Sequence, residues 1–197
     1  MATDQIFTKA LETARDPSVR TASANMWLRE QAKSVRSVSN PKQVIAKGND
    51  RLVSAITVGR MYLFMYNPKT KDTLPYYDQF PLVFPFKRVN GGFYGINMHY
   101  LPHMLRAKLM DNLYTLANNQ ANDDSTKLRL SYALLNNAAK FRFFKPCVKH
   151  YLNSQMQTRF LWIPTDQWET ALFLPLERFV GANKQQVWRD SRKMVQR

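Results

Sequence analysis

The chain has 197 residues, 45% of them hydrophobic, with 12 Phe, 9 Tyr and 4 Trp, enough apolar matter for one domain with a core of its own. Its 29 Lys and Arg stand against 14 Asp and Glu, a net charge of +15 that attracts polyanions and exceeds what solubility alone requires. One cysteine excludes an internal disulfide, and no apolar run approaches the roughly 18 residues of a membrane helix.

The opening Met1-Ala2-Thr3-Asp4 does not read as an export signal, so a reducing cytoplasm is the expected setting. Residues 1–21 carry a weak helical pattern in Ile6, Phe7, Ala10, Leu11 and Ala14, stopped by Asp16-Pro17. Residues 23–35, with Met26, Trp27 and Val35 apolar, predict a second short helix. Residues 1–50 therefore read as a basic helical arm. From 52 to 66 the chain is rich in β-branched and aromatic residues and predicts one long strand, closed by the turn residues 67–72. Pro75, Pro81 and Pro85 then call for extended or edge geometry, because proline donates no ladder hydrogen bond. Asn90-Gly91-Gly92 predicts a hairpin turn into a further strand over 93–100.

After Pro102 the period becomes helical, with Met104, Leu105, Leu109, Leu113 and Leu116 on one face. Asp124 or Ser125 caps a second helix marked by Leu128, Tyr132, Leu135 and Ala138. Pro146 predicts a short helix to Leu152, residues 157–163 a returning strand, and Thr165 or Asp166 a helix start. Residues 183–197 form a basic amphipathic tail around Val187, Trp188 and Val195. The fold class is α+β: a small antiparallel sheet or partial β-barrel over 52–100 and 157–163, with helices packed on it. The domain reading is an arm at 1–50, a single domain at 51–180 and a tail at 181–197, the two ends ordering on assembly.

Chemistry is poorly provided for. His99 and His103 have a four-residue spacing, but Pro102 stands between them and no Glu follows His99, so a helical zinc pair is excluded. Cys147 lies three residues before His150, yet a packed, inert thiol is the better reading. Neither a phosphate-binding P-loop nor a dinucleotide glycine motif occurs, so no cofactor is implied. The adjacent pair Asp123-Asp124 falls at a helix start, leaving a metal-dependent nuclease as the least favoured alternative. No catalytic residue and no metal ligand is assigned.

The positive signal is cations interleaved with rings across residues 140–151. Arg142, Lys145 and Lys149, with Lys87, Arg88, Arg189, Arg192 and Lys193, are the candidates for phosphate contacts. A core reading of Phe141, Phe143 and Phe144, with snorkelling cations around them, stands beside this one. Trp27, Val187 and Trp188 are candidates for docking on a partner. The densest charge is at the end, since residues 181–197 alone carry +4.

The run Met61 to Val83, including Tyr66-Asn67-Pro68-Lys69-Thr70-Lys71-Asp72, resembles virion and morphogenesis proteins of T4-like tailed phages, of the kind labelled DNA end protector. The same holds for Gly95 to Pro102 and for Leu174-Pro175-Leu176-Glu177-Arg178-Phe179. The resemblance covers about residues 60–195 and carries no catalytic position across. It implies a structural or assembly protein of the virion that contacts double-stranded DNA at the head–neck or tail. The alternative is a tail, neck or baseplate component that binds only other virion proteins. Either role implies oligomerisation within a symmetric assembly, no membrane, and a location in the host cytoplasm during assembly and then in the virion.

Overall fold

Apolar residues occupy both phases of the strand alternation, so both faces of the sheet need cover. The computed structural model describes residues 40–101, 106, 109, 113, 121, 123–140 and 142–196. Its strands are β1 (Leu52–Val53), β2 (Met61–Leu63), β3 (Tyr77–Asp78), β4 (Leu82–Val89), β5 (Gly92–Asn97), β6 (Val148–Leu152), β7 (Phe160–Ile163) and β8 (Phe179–Val180). Six of them form one open sheet in the order β1-β7-β2-β4-β5-β6, and β3 pairs with β8. Every pairing is antiparallel. The helices are α1 (Pro41–Lys47), α2 (Asp124–Ala138), α3 (Trp168–Phe173) and α4 (Lys184–Gln196). The fold is α+β, as expected, with an open sheet rather than a closed barrel.

Met61, Leu63, Leu82, Phe84, Ile96 and Leu161 face one side, where Leu135 of α2, Trp168 and Leu172 of α3 and Val187 of α4 complete the main core. The intervening residues Tyr62, Phe64, Val83, Phe93, Tyr151 and Phe160 form a second, largely aromatic core on the other side. Phe64 sits at its centre, edge-on to Tyr66, Phe93, Tyr151 and Phe160 at 5.1–6.4 Å between ring centroids. The buried hydroxyl of Tyr62 accepts a hydrogen bond from the Thr57 amide at 2.8 Å. Ile45 of α1 belongs to the main core too, so the chain on both flanks of residues 51–180 packs into it.

The long strand expected over 52–66 is broken. Gly59, at φ +86°, turns the chain, and its amide donates to the Pro85 carbonyl at 3.0 Å. The run thereby places β1 and β2 on either side of β7. Pro85 lies inside the interior strand β4, not at an edge. The register shifts between Pro85 and Lys87, and such a bulge accommodates the missing donor. Asn90-Gly91 makes the expected hairpin turn, with Gly91 at φ +73°.

The short helix expected from Pro146 to Leu152 is instead a 3-10 segment, Arg142–Cys147, followed by β6 along the edge of β5. The helix expected behind a cap at Asp124 or Ser125 is α2, but Asp123 is its cap, accepting from the Thr126 amide at 2.7 Å. Neither Thr165 nor Asp166 caps a helix, since both lie in a 3-10 turn that leads into α3. Of the helix expected after Pro102, Arg106, Leu109 and Leu113 are helical and buried. The helices expected within residues 1–35, and with them Trp27, lie outside the described residues.

Candidate nucleic-acid interface

Asn183 starts α4 by accepting from the Gln186 amide at 2.9 Å. At 3.6 residues per turn, Val187 and Ser191 share one face, and both are buried. Trp188 is half-buried and donates its indole N–H to the His99 carbonyl at 2.9 Å. Lys184 pairs with the buried Glu177 at 3.2 Å. These attachments fix the helix about its axis and turn Arg189, Arg192 and Lys193 outward, all three exposed. Val187, a candidate for partner docking, is wholly within this chain's own core.

The inner side of α4 packs against the Arg142–Cys147 segment. Two basic stretches more than thirty residues apart thus become neighbours, and Lys145 is exposed on the second. Lys149 is turned inward, its ammonium 4.0 Å above the Tyr100 ring, and burial lowers its pKa. Phe144 is half-buried against the main core and Tyr151 sits in the aromatic one, so these rings pack rather than project. Lys87 and Arg88 stand elsewhere, exposed at the hairpin end of β4. Lys87 lies opposite Tyr94, which stacks on His150 at 4.7 Å and 18°. Arg88 lies opposite Phe93 and donates to the Ile56 carbonyl.

Beneath α4 lies a buried polar network. Asp78 accepts from the Phe80 amide and Asn97 at 3.1 Å and meets His99 Nδ1 at 2.7 Å. Arg106, fully buried, donates to the carbonyls of Leu101, Leu172 and His99 at 2.7, 2.8 and 3.2 Å. Its guanidinium also lies 5.5 Å from the Trp188 ring. Burial pushes the Glu177 carboxyl up, but His99, Arg106 and Lys184 together outweigh it and hold its pKa at about 2. The network joins the strand ends, the helix at Arg106 and α4. It escaped detection in sequence because its members, from Asp78 through His99 and Arg106 to Leu172 and Glu177, come from stretches far apart in the chain.

Asp78, His99, Arg106 and Glu177 are closed off from solvent. The Asp78–His99 pair is 0–1% exposed, out of reach of any substrate. Cys147 is buried and its thiol is pushed up to about 12 by that burial, against the pull of Lys149 and Arg106. Asp123 is held low by the Thr126 amide and the Ser125 hydroxyl, as a helix cap is. Among the described residues no group of three or more His, Cys, Asp or Glu could hold a metal ion. No helix among them is long and apolar enough to cross a membrane.

Arg60 and Arg159, both exposed, are two further cations outside the set of candidates that the sequence suggests. Arg60 stands 5.1 Å above the Trp162 ring. Arg159 precedes Phe160 in the same cation-and-ring pattern as residues 140–151, a signal that was available.

These features define a small α+β protein that displays cations from a firmly seated helix above a buried network of ionisable groups. Over residues 14–193 the chain matches the family model described as the phage T4 terminal DNA protecting protein. It belongs to that family, as the resemblance of its central runs implied. No curated protein and no solved structure gives a significant match.

Proposed function

We propose that the protein binds the ends of linear duplex DNA in the phage particle and shields them, with Arg189, Arg192, Lys193, Arg142 and Lys145 supplying phosphate contacts. The observation that carries this reading is the packing of α4 against the Arg142–Cys147 segment, which gathers cations from two stretches. Neither ion pair among the described residues involves Lys145, Arg189, Arg192 or Lys193, so their charges are available to a polyanion. Lys87 and Arg88 add a separate basic patch at the hairpin end of β4, and Lys149 supports the α4 surface from within through Tyr100. The role is one of binding, without turnover.

A protein seated on the terminus of a packaged genome lies at the head–neck junction, beside other virion proteins. Residues 1–39 and the half-buried Trp188 are the parts proposed to meet them, in a symmetric assembly. The test compares a linear duplex with a covalently closed circle of the same sequence, by binding at low salt and by resistance to an end-dependent exonuclease. Tighter binding and lasting protection of the linear form are expected. Equal affinity for the two forms, or no binding at low salt, would overturn the proposal.

A further inference from the structure

On the face of the sheet opposite α4, a groove of about 400 Å³ opens between residues 54–56, the hairpin end of β4 and β5, and residues 153–160. Its floor is apolar, made by Ile56, Phe93, Met156 and Phe160. Arg88 and Arg159 line it too, and both are exposed. Arg88 donates to the Ile56 carbonyl, and Arg159 to Asn49 Oδ1 at 3.3 Å. Each guanidinium has five N–H donors in a planar fork suited to phosphate, so most of that capacity is left. Neither arginine is in an ion pair among the described residues.

The volume lies within the range of about 300–1,000 Å³ typical of small-molecule sites. It is far too small for a duplex, whose major groove alone is about 12 Å wide. An apolar floor with cations beside it fits one nucleotide, base inward and phosphate outward. Such a nucleotide must be unpaired, and freeing one costs least where a strand ends, since only one neighbour stacks on it. Lys87 and Arg88 connect the two faces: successive residues on a strand point to opposite sides, and their cross-strand partners Tyr94 and Phe93 belong to different cores. Positive charge therefore stands on both faces of the sheet at the hairpin end, beside the groove.

We infer that this groove receives the terminal nucleotide of a DNA strand, its phosphate on Arg88 and Arg159 and its base over Phe160 and Met156. The inference rests on the proposed binding of DNA ends and supplies its selectivity, since the α4 cations meet phosphates that every duplex has.

The test uses the full chain with duplexes carrying 2-aminopurine either at the terminal pair or well inside. Binding is expected to change the fluorescence of the terminal probe and leave the internal one unaltered. Two variants, Ala55→Trp and Arg159→Gln, change exposed residues of the groove and leave the cores intact. Each is expected to lose the terminal signal and to lower the preference for open over hairpin-capped ends about tenfold, or about 1.4 kcal/mol. A free deoxynucleoside monophosphate is expected to suppress the terminal signal while the protein stays on the duplex. If both variants keep the signal and the end preference while binding duplex normally, the groove is not the site. If the unaltered protein binds no duplex at all, the proposed function itself falls.

Discussion

Neutralising the outward face of α4 should change how binding responds to salt, and by an amount the structure sets. Arg189, Arg192 and Lys193 fall within an arc of about 100° opposite the buried Val187 and Ser191, so one phosphate backbone can engage all three. A protein that neutralises Z phosphates has a slope of log affinity against log salt of about −0.9Z. In the triple variant Arg189→Gln, Arg192→Gln, Lys193→Gln the slope should therefore flatten by about 2.7. Between 50 and 200 mM salt the unaltered protein should lose about fortyfold more affinity than the variant, as that slope requires over a fourfold range. All three side chains are exposed and outside the ion pairs of the described residues, so Tm should move little. The assay is fluorescence anisotropy on a labelled duplex across a salt series, with thermal unfolding as control. Parallel slopes with an unchanged Tm would refute the assignment of these cations to phosphates.

Glu177 has a folded pKa of about 2 against an ordinary 4.5, so the unfolded chain binds its proton first. Its contribution to stability, about 3 kcal/mol, is present above pH 5 and lost as pH falls toward 2. Urea unfolding across that range should show a shallower acid limb in Glu177→Gln, and an unchanged limb would contradict the network. Cys147, buried with its thiol pushed up to about 12, should resist a thiol reagent at pH 8 until the protein unfolds; rapid native labelling would show that the site opens. Phe64→Ala should cost about 3–5 kcal/mol, because it removes the ring at the centre of the aromatic core. A loss under 1 kcal/mol in equilibrium unfolding would mean that face is loosely packed.

The parts of the fold legible in sequence are those decided locally. The α2 helix announces itself through its period and an acidic start, and Asn90-Gly91 through the left-handed residue that a tight hairpin needs. What escaped depends on partners far along the chain. Residues 148–152 are a strand because β5 offers them a free edge, which no local preference of Val148-Lys149-His150-Tyr151-Leu152 reveals. Gly59 breaks the 52–66 run because β7 enters between its two halves. The imperfect alternation that hid the register is itself a consequence of burial on both faces. At the site, composition identified the cations but not their directions. Lys145 and Lys149 are equally basic in sequence, yet the pleat and the Tyr100 ring turn the second inward.

That inward turn bears on how the basic surface works. A cation on a loose arm loses conformational entropy each time it meets a phosphate, about 0.5–1.5 kcal/mol for a long side chain, and a backbone free to move adds to that. The backbone of α4 is already held by Val187 in the core, by the Trp188 indole on the His99 carbonyl and by Lys184 on Glu177. Arg106, a helical residue that lies between β5 and β6 in the chain, anchors the same carbonyl from below and so ties α4 to that stretch. The buried charges are thus the foundation of the exposed ones. Removing Glu177 or Arg106 should weaken DNA binding with no change in the number of outward cations, through a helix less firmly seated.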